Sequence, residues 1–249
     1  MGERPDVIRG PIDPFSYKLV VFDLDGTLYR QAPVRRAMLM DLLCDGAEPG
    51  RFMRFKILYH FRKIREDLAD EAPLDFEEPL YSRLASKTGW PKPFLVSLVE
   101  EWMETRPLVH LRAAAVPGAR DVIKTLRRHG VAVAVWSDYP VQAKLQALDI
   151  EVDHMLSASD ENVNALKPDP TGLHYAMEIA GVEPAATLMV GDRLSRDGIA
   201  AAAAHVDFLL RHDKAPRDLK DGQFHVRDFS VFQRLDPQSA EGGLAVQNC

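Results

Sequence analysis

The sequence predicts an α/β fold, with a doubly wound core, a parallel sheet and an inserted α-helical domain. Short apolar runs that end in polar or glycine residues are typical of buried parallel strands, and helical patterns alternate with them from Pro117 onward. Residues 31–112, in contrast, hold one helical pattern after another and no convincing strand. The chain has 249 residues, of which 46% are hydrophobic, so it carries enough apolar material for one large core or two smaller ones.

The core strands are predicted from five apolar runs, the third of which is the weakest. In chain order they are KLVVFDL (residues 18–24), VAVAVWS (131–137), VDHMLSA (152–158), TLMVGD (187–192) and VDFLLR (206–211). The core helices are predicted from patterns with apolar residues at helical spacing, which are GARDVIKTLRRHG (118–130), YPVQAKLQALDI (139–150) and TGLHYAMEIAG (171–181). This alternation predicts a Rossmann-like core, and chemistry is expected at the carboxyl ends of its strands.

The inserted helical domain is predicted from four patterns between the first and second strands. They are VRRAMLMDLLCDG (34–46), RFMRFKILYHFRKIREDLA (51–69), EEPLYSRLASKTG (77–89) and FLVSLVEEWMETR (94–106). We therefore expect a core domain of residues 1–30 and 113–235 and a helical cap domain of residues 31–112. Residues 236–249 are small and polar and are predicted to form a disordered tail.

Composition and charge restrict the classes of partner. The formal net charge of -6 gives no global reason to expect nucleic acid as a partner. Cys44 and Cys249 are too few for a disulfide framework or a thiolate metal site, which favours a reducing cytoplasm. No window approaches the roughly 18 apolar residues of a membrane span. We expect a cytoplasmic protein, a monomer or a homodimer, without a membrane or nucleic-acid partner.

Two aspartates follow the first predicted strand. Only one residue separates Asp23 from Asp25, so both side chains can face the same side as the strand ends, and Gly26 permits a sharp turn there. Carboxylates this close repel one another unless a cation or a shared proton lies between them. The spacing therefore indicates either a metal site or a pair of carboxyl groups of which one acts as an acid and the other as a base.

Further polar residues lie at or near the ends of other strands. They are a hydroxyl, Ser137, a lysine before two prolines, Lys167, and an acidic pair, Asp192 and Asp197. Phosphoryl transfer requires a nucleophile, donors for the phosphoryl oxygens, a cation and oxygen ligands for Mg²⁺. Taken alone, each residue is more often a strand-end or helix-cap hydroxyl, a surface lysine or part of a turn, and it is their joint occurrence that indicates catalysis.

In these residues the chain resembles the haloacid dehalogenase superfamily of aspartate-nucleophile hydrolases. It matches four motifs in order, which are DLDGT (residues 23–27), WSD (136–138), KPDP (167–170) and GDRLSRD (191–197). The resemblance covers residues 18–210. Dehalogenases of this superfamily lack the second aspartate, so Asp25 favours phosphate ester chemistry, which a phosphomutase would also carry out.

The resemblance implies a role for each matched residue. Asp23 would attack phosphorus and form an aspartyl-phosphate, Asp25 would act first as general acid and then as general base, and Lys167 would shield Asp23 from the charge of its target. The phosphate would be bound by Thr27, Ser137, Asp138 and Lys167. Mg²⁺ would be held by Asp23, the Asp25 carbonyl, Asp192 and Asp197, the last acting through water or by orienting Lys167.

Three alternatives stay open. A phosphomutase would use the same aspartyl-phosphate, and a catalytically silent relative would keep these residues for binding. A signalling receiver carries a similar residue set, but there the acidic pair precedes the phosphorylated aspartate, whereas here Asp23 lies on the first strand.

The subgroup within the superfamily is not assigned. Many relatives carry an acidic residue shortly after the first motif, whereas this chain has Tyr29 and Arg30 there.

The length of the connections locates the cap. Residues 24–136 separate Asp23 from Ser137, whereas only residues 138–166 separate Ser137 from Lys167. In the superfamily an insertion after the first motif implies a helical cap of the first type, which closes over the crevice and excludes water. Residues 31–112 are therefore expected to select the substrate, a small phosphorylated metabolite.

A basic cluster lies in the second predicted cap helix. Its members are Arg51, Arg54, Lys56, Arg62, Lys63 and Arg65, interleaved with Phe52, Phe55, Leu58 and Phe61. A phosphorylated substrate, nucleic acid or a membrane surface would each suit such a cluster. We interpret it instead as the solvated face of a helix whose aromatic residues pack inward.

Overall fold

The computed structural model describes residues 12–46, 50–73, 75–214, 216 and 219–234. Within these residues the core contains a parallel sheet in the order β3-β2-β1-β4-β5-β6. Its strands are β1 (Leu19–Phe22), β2 (Ala132–Ser137), β3 (His154–Ser157), β4 (Thr187–Gly191), β5 (Asp207–Arg211) and β6 (Gln223–Val226). The predicted parallel α/β core is confirmed, including the weak third strand. The predicted disordered tail, residues 236–249, lies outside the described residues.

Apolar residues of β1 alternate between the two faces of the sheet. Val20 and Phe22 pack in one hydrophobic cluster, and Leu19 and Val21 pack in another on the opposite face. Both faces are covered by helices, which are α6 (Ala119–Arg128), α7 (Gln142–Leu148), α8 (Thr171–Ala180) and α9 (Ile199–Ala203). Because both faces of the sheet are buried, the sequence of β1 is a continuous apolar run and does not alternate between apolar and polar residues.

The segment between β1 and α6, here called the helical insertion, contains five described helices. They are α1 (Gln31–Cys44), α2 (Arg51–Glu71), α3 (Glu77–Thr88), α4 (Lys92–Val99) and α5 (Leu108–Ala114), with a π-helical turn (Glu100–Thr105) between the last two. Much of it packs around a separate hydrophobic cluster, which includes Phe61, Phe76 and Trp102 and is completed by Ala158 and Leu166 of the core. The predicted helical insertion is confirmed, whereas the exact domain boundaries at residues 31 and 112 stay a prediction.

The structure corrects our interpretation of the basic cluster on α2. The buried face of α2 is formed by Arg54, Ile57, Phe61, Ile64, Leu68 and Ala69, which recur at helical spacing. Phe52 and Phe55 lie off this stripe and are 83% and 54% exposed, so they do not pack inward. Arg54 is buried and pairs with Asp45 at 3.1 Å. The cluster is therefore not one solvated face.

Strand β6 was not predicted from the sequence. Its residues, Gln223–Val226, are only half-buried and alternate polar with apolar side chains at the edge of the sheet. An edge strand of this kind lacks the long apolar run that identifies the central strands. Among the described helices, none combines the length and the apolar composition that a membrane crossing requires.

Candidate active site

Polar residues from neighbouring strands meet at the carboxyl ends of the central strands of the sheet. β1 lies between β2 and β4, and Phe22 is in register with Val135 and Val190. Asp23 and Asp192 follow β1 and β4, and Ser137 is the last residue of β2. Because the strands are parallel and in register, their carboxyl ends bring these side chains together.

Asp23 is buried and is held by a lysine that is also buried. Lys167 Nζ lies 2.7 Å from Asp23 Oδ1 and 2.8 Å from Asp197 Oδ1. Burial raises the pKa of Asp23 to about 8; Lys167 opposes this rise, and the charges of Asp197 and Asp192 add to it. Burial alone would lower the pKa of Lys167, but Asp197 and Asp23 raise it above its ordinary value. The lysine is therefore a fixed positive charge beside Asp23.

The loop after Asp23 holds the second carboxylate oxygen of Asp23 and brings the backbone at Gly26 close to Asp192. Thr27 is fully buried, and its hydroxyl donates a hydrogen bond of 2.8 Å to Asp23 Oδ2. Gly26 has φ +111°, and a Cβ at this position would lie 2.0 Å from Asp192 Oδ2. Only glycine allows this turn and this approach together. The predicted phosphate-binding residue Thr27 thus contacts Asp23 directly.

Three carboxylates form a candidate metal site. Asp23, Asp192 and Asp197 each offer an oxygen, and these oxygens lie within 4.8 Å of one another. Burial raises the pKa of Asp192 to about 6, and the neighbouring charge of Asp197 adds to this rise. Hard carboxylate oxygens are the ligands that Mg²⁺ and similar divalent cations prefer. The repulsion between these carboxylates would be relieved by such a cation, so the donor set fits one.

The Asp25 carboxylate is held by three hydrogen-bond donors outside this group. Lys144 Nζ lies 2.7 and 2.9 Å from its two oxygens, Ser137 Oγ donates to Oδ2 at 3.0 Å, and the Tyr29 hydroxyl donates to Oδ1. Burial alone would raise the pKa of Asp25, but Lys144 and these hydrogen bonds hold it below its ordinary value. The Asp25 carbonyl, which was expected at the metal, accepts a hydrogen bond from Gln31 Nε2.

Asp138 connects the second motif to the third. Its carboxylate accepts a hydrogen bond of 3.0 Å from the backbone N–H of Lys167 and lies 3.7 Å from the Arg193 guanidinium. Its backbone carbonyl accepts a hydrogen bond from Arg65 of the helical insertion. Asp138 therefore positions the segment that carries Lys167.

A cavity of about 340 Å³ separates these strand ends from the helical insertion. It is lined by the predicted site residues Asp23, Asp25, Ser137, Asp138 and Asp192. The three remaining predicted residues, Thr27, Lys167 and Asp197, are buried next to it. All eight predicted site residues are therefore brought together in one region.

Ion pairs join the helical insertion to the core beside this cavity. Glu66 of α2 pairs with Arg193 at 2.9 Å and with Arg196 at 2.8 Å. Asp70, one turn further along α2, also pairs with Arg196 at 2.7 Å. The insertion thus lies directly over the segment that carries Asp192, and the cavity is enclosed by both parts of the chain.

Sequence reasoning missed several residues of the cavity. Lys144 is only 3% exposed, although lysine is normally a surface residue. Its burial could have been predicted from its position, because it lies three residues after Val141 and four before Leu148, on the buried face of α7. Arg62 and Arg65 had been assigned to a solvated face, yet both line the cavity.

Comparisons with known proteins agree with this geometry. A family model described as haloacid dehalogenase-like hydrolase matches residues 17–205. A phosphoglycolate phosphatase of Pseudomonas fluorescens is 28% identical over 193 residues, which are 76% of this chain and 67% of that protein. Phosphoglycolate phosphatase 1 of Pseudomonas aeruginosa is 27% identical over 190 residues, which are 75% of this chain and 66% of that protein. The chain thus matches about two thirds of the length of these relatives.

Solved structures show the same fold at lower identity. An HAD phosphatase from Thermococcus onnurineus superposes with a TM-score of 0.58 and 22% identity, covering 88% of this chain and 97% of that one. L-2-haloacid dehalogenase from Xanthobacter autotrophicus superposes with a TM-score of 0.60 and 19% identity, covering 92% of this chain and all of that one, 100%. The fold is therefore common to proteins named for two different reactions.

Proposed function

The chain belongs to the haloacid dehalogenase-like hydrolases, and on this premise we propose that it is a Mg²⁺-dependent phosphatase. It would hydrolyse the phosphate monoester of a small metabolite through an aspartyl-phosphate. The observation that carries this proposal is the position of Asp23, whose two oxygens contact Lys167 and Thr27 and which shares an acidic cluster with Asp192. A buried carboxylate beside a fixed cation and a metal site is suited to attack on a phosphate dianion.

The presence of Asp25 favours a phosphate ester over a haloacid as substrate. Expulsion of an alkoxide requires a proton on the leaving oxygen, whereas expulsion of a halide does not. Asp25 lines the same cavity as Asp23, and we assign this transfer to it. The phosphatase names of the sequence relatives support the same choice, and they make 2-phosphoglycolate one candidate substrate.

The proposed reaction has two steps. First, a carboxylate oxygen of Asp23 attacks phosphorus, the ester P–O bond breaks, and the leaving oxygen takes a proton from Asp25, which must have gained that proton when the substrate bound because Lys144 holds the free carboxylate ionised. Then Asp25 accepts a proton from water as that water attacks the aspartyl-phosphate, which releases inorganic phosphate and restores the Asp23 carboxylate. Lys167 and the Ser137 hydroxyl would donate hydrogen bonds to the phosphoryl oxygens.

Asp23, Asp192 and Asp197 would hold the cation in this proposal, with the Asp25 carbonyl as a further ligand once Gln31 releases it. Mg²⁺, when bound there, supplies positive charge that offsets the repulsion between the nucleophile and its substrate. The cytoplasmic location and the absence of nucleic-acid and membrane partners stay predictions.

Phosphate release from a panel of phosphorylated sugars, nucleotides, hydroxy acids and amino acids tests the proposal. We expect Mg²⁺-dependent turnover of at least one member, and its loss in Asp23→Asn, which keeps the size of the side chain and removes the nucleophile. Phosphate release that persists in Asp23→Asn would contradict the aspartyl-phosphate. Turnover that requires a bisphosphate activator and releases no phosphate would indicate a phosphomutase.

A further inference from the structure

Three arginines of the helical insertion line the cavity without a carboxylate partner. They are Arg35 of α1 and Arg62 and Arg65 of α2. The other cations of the cavity are matched, since Lys144 pairs with Asp25, and Arg193 and Arg196 pair with Glu66. Within the part of the chain that the structure describes, no carboxylate lies at salt-bridge distance from the three arginines.

Their actual contacts leave most of their hydrogen-bond donors free. Arg35 donates to the Gln31 side chain, and Arg62 lies 3.5 Å from the sulfur of Met103. Arg65 donates one hydrogen bond to the Asp138 carbonyl and stacks over the Tyr139 ring at 4.5 Å, while its Nε is buried and has no hydrogen-bond partner within the described residues. A guanidinium offers five N–H donors in a planar fork, so each of these side chains can still bind an anion.

The arginines also repel one another. Arg35 and Arg62 line the same cavity; desolvation lowers the pKa of Arg62, Tyr139 opposes this effect, and the positive charge of Arg35 adds to it. Like charges that face one cavity without a counter-ion are unfavourable, and an anion between them would turn this repulsion into attraction.

The position of these arginines relates them to one part of a substrate. The phosphoryl group would lie against Asp23 and Lys167 at the strand ends, so the alcohol portion would extend toward the helical insertion. The rest of that wall is mostly apolar, with Val34, Met38 and Trp102 among its residues. A cavity of about 340 Å³ is at the small end of ligand sites.

We propose that Arg35, Arg62 and Arg65 bind a second anionic group, carried by the leaving alcohol of the substrate. The substrate class is then a small phosphate monoester whose alcohol bears a carboxylate or another phosphate. This inference rests on the proposed phosphatase function for the orientation of the substrate. Planar, bidentate recognition by arginine suits both a carboxylate and a phosphate.

Equilibrium binding of two non-hydrolysable phosphonates tests the anion site without requiring turnover. In the presence of Mg²⁺, 3-phosphonopropionate should bind at least about tenfold more tightly than propylphosphonate, which has a methyl group in place of the carboxylate. Arg62→Gln should remove this preference. Lys63→Gln, on the same helix but outside the cavity, should keep it. Equal affinities for the two phosphonates in the wild-type protein, or a preference that survives in both Arg62→Gln and Arg35→Gln, would overturn the inference.

Turnover separates a failure of this inference from a failure of the proposed function. We expect kcat/KM for 2-phosphoglycolate or for ethylene glycol bisphosphate to exceed that for ethyl phosphate by about tenfold or more, and the larger of the two ratios identifies the anion. Arg35→Gln should lower this ratio, and the adjacent Arg36→Gln should not. Equal turnover of all three esters overturns the anion site and leaves the phosphatase intact. A phosphonate preference without turnover of these esters or of any member of the substrate panel supports the anion site and contradicts the phosphatase.

Discussion

Lys144 Nζ lies 2.7 Å from one carboxylate oxygen of Asp25 and 2.9 Å from the other. The lysine side chain is 4% exposed, so little water screens this pair. The lysine, the Ser137 hydroxyl and the Tyr29 hydroxyl all stabilise the ionised form of Asp25, which is the form that accepts a proton from water in the proposed second step. The pair therefore favours the base role of Asp25 over its acid role.

Where the second step, in which Asp25 is the base, limits turnover, Lys144→Met should move the acidic limb of the pH–rate profile to higher pH. Burial raises the pKa of Asp25, and without Lys144 this effect is less opposed, so the carboxylate is protonated over a wider range of pH. A rise of one unit in the pKa of Asp25 would reduce the rate about tenfold at a pH below both pKa values. Profiles of kcat for both proteins from pH 3 to pH 8 measure this. Lys124→Met, on the exposed face of α6, should leave the profile unchanged, and an unchanged profile in Lys144→Met would refute the assignment.

The same pair should make stability depend on pH. The pKa of Asp25 is lower in the folded protein than in the unfolded chain, where it is about 3.9. Its contribution to the free energy of unfolding is therefore present above about pH 4 and is lost as pH falls through the folded-state pKa. We expect the difference in unfolding free energy between wild type and Lys144→Met to shrink as the pH is lowered from 6 to 3. Urea titrations at fixed pH measure it, and a difference that grows on acidification would oppose this reading.

Mg²⁺ should stabilise the protein more strongly as pH rises. Burial raises the pKa of Asp192 to about 6 and that of Asp23 to about 8, both above their unfolded-state values. In the metal-free protein their contribution is fully present below the unfolded-state pKa, near pH 4, and is lost as pH rises through the folded-state values. Because Mg²⁺ binds the deprotonated carboxylates, it competes with protons. The increase in Tm caused by Mg²⁺ should therefore be larger at pH 8 than at pH 6, and Asp192→Asn should abolish it. An increase in Tm that is the same at both pH values would exclude this proton linkage.

Gly26→Ala should disrupt the acidic cluster and not only strain the loop. The new Cβ would lie 2.0 Å from Asp192 Oδ2, and φ at this position is +111°. We expect Mg²⁺-dependent activity to fall to background, with a loss of stability of about 1–3 kcal/mol from backbone strain. Gly130→Ala is the matched control, because Gly130 also has a positive φ, +75°, but a Cβ there would meet nothing within 4 Å. Retention of full activity in Gly26→Ala would show that Asp192 moves freely.

The strand ends could be predicted from the sequence, but the residues that complete the site could not. Asp23, Ser137 and Asp192 each follow or end an apolar run, and parallel strands bring such ends together whatever the helices do. The contacts of Lys144 with Asp25 and of Glu66 with Arg196 depend instead on how α7 and α2 are placed relative to the sheet. The spacing of apolar residues along one helix predicts which face of the helix is buried. It does not predict which residue of another element will pair with a charged side chain on that face.

Glu66→Gln should weaken closure of the helical insertion over the cavity. Glu66 is the shared partner of Arg193 and Arg196, and its neutralisation leaves the mostly buried Arg196 with Asp70 as its one carboxylate partner among the described residues. Exposed ion pairs contribute little, so we expect a rise of only about threefold to tenfold in KM, with kcat less affected. Glu71→Gln breaks a pair with Arg83 that lies wholly within the insertion, at 2.7 Å, and should leave KM unchanged. Equal effects of the two substitutions on KM would mean that the ion pairs to the core do not hold the insertion over the substrate.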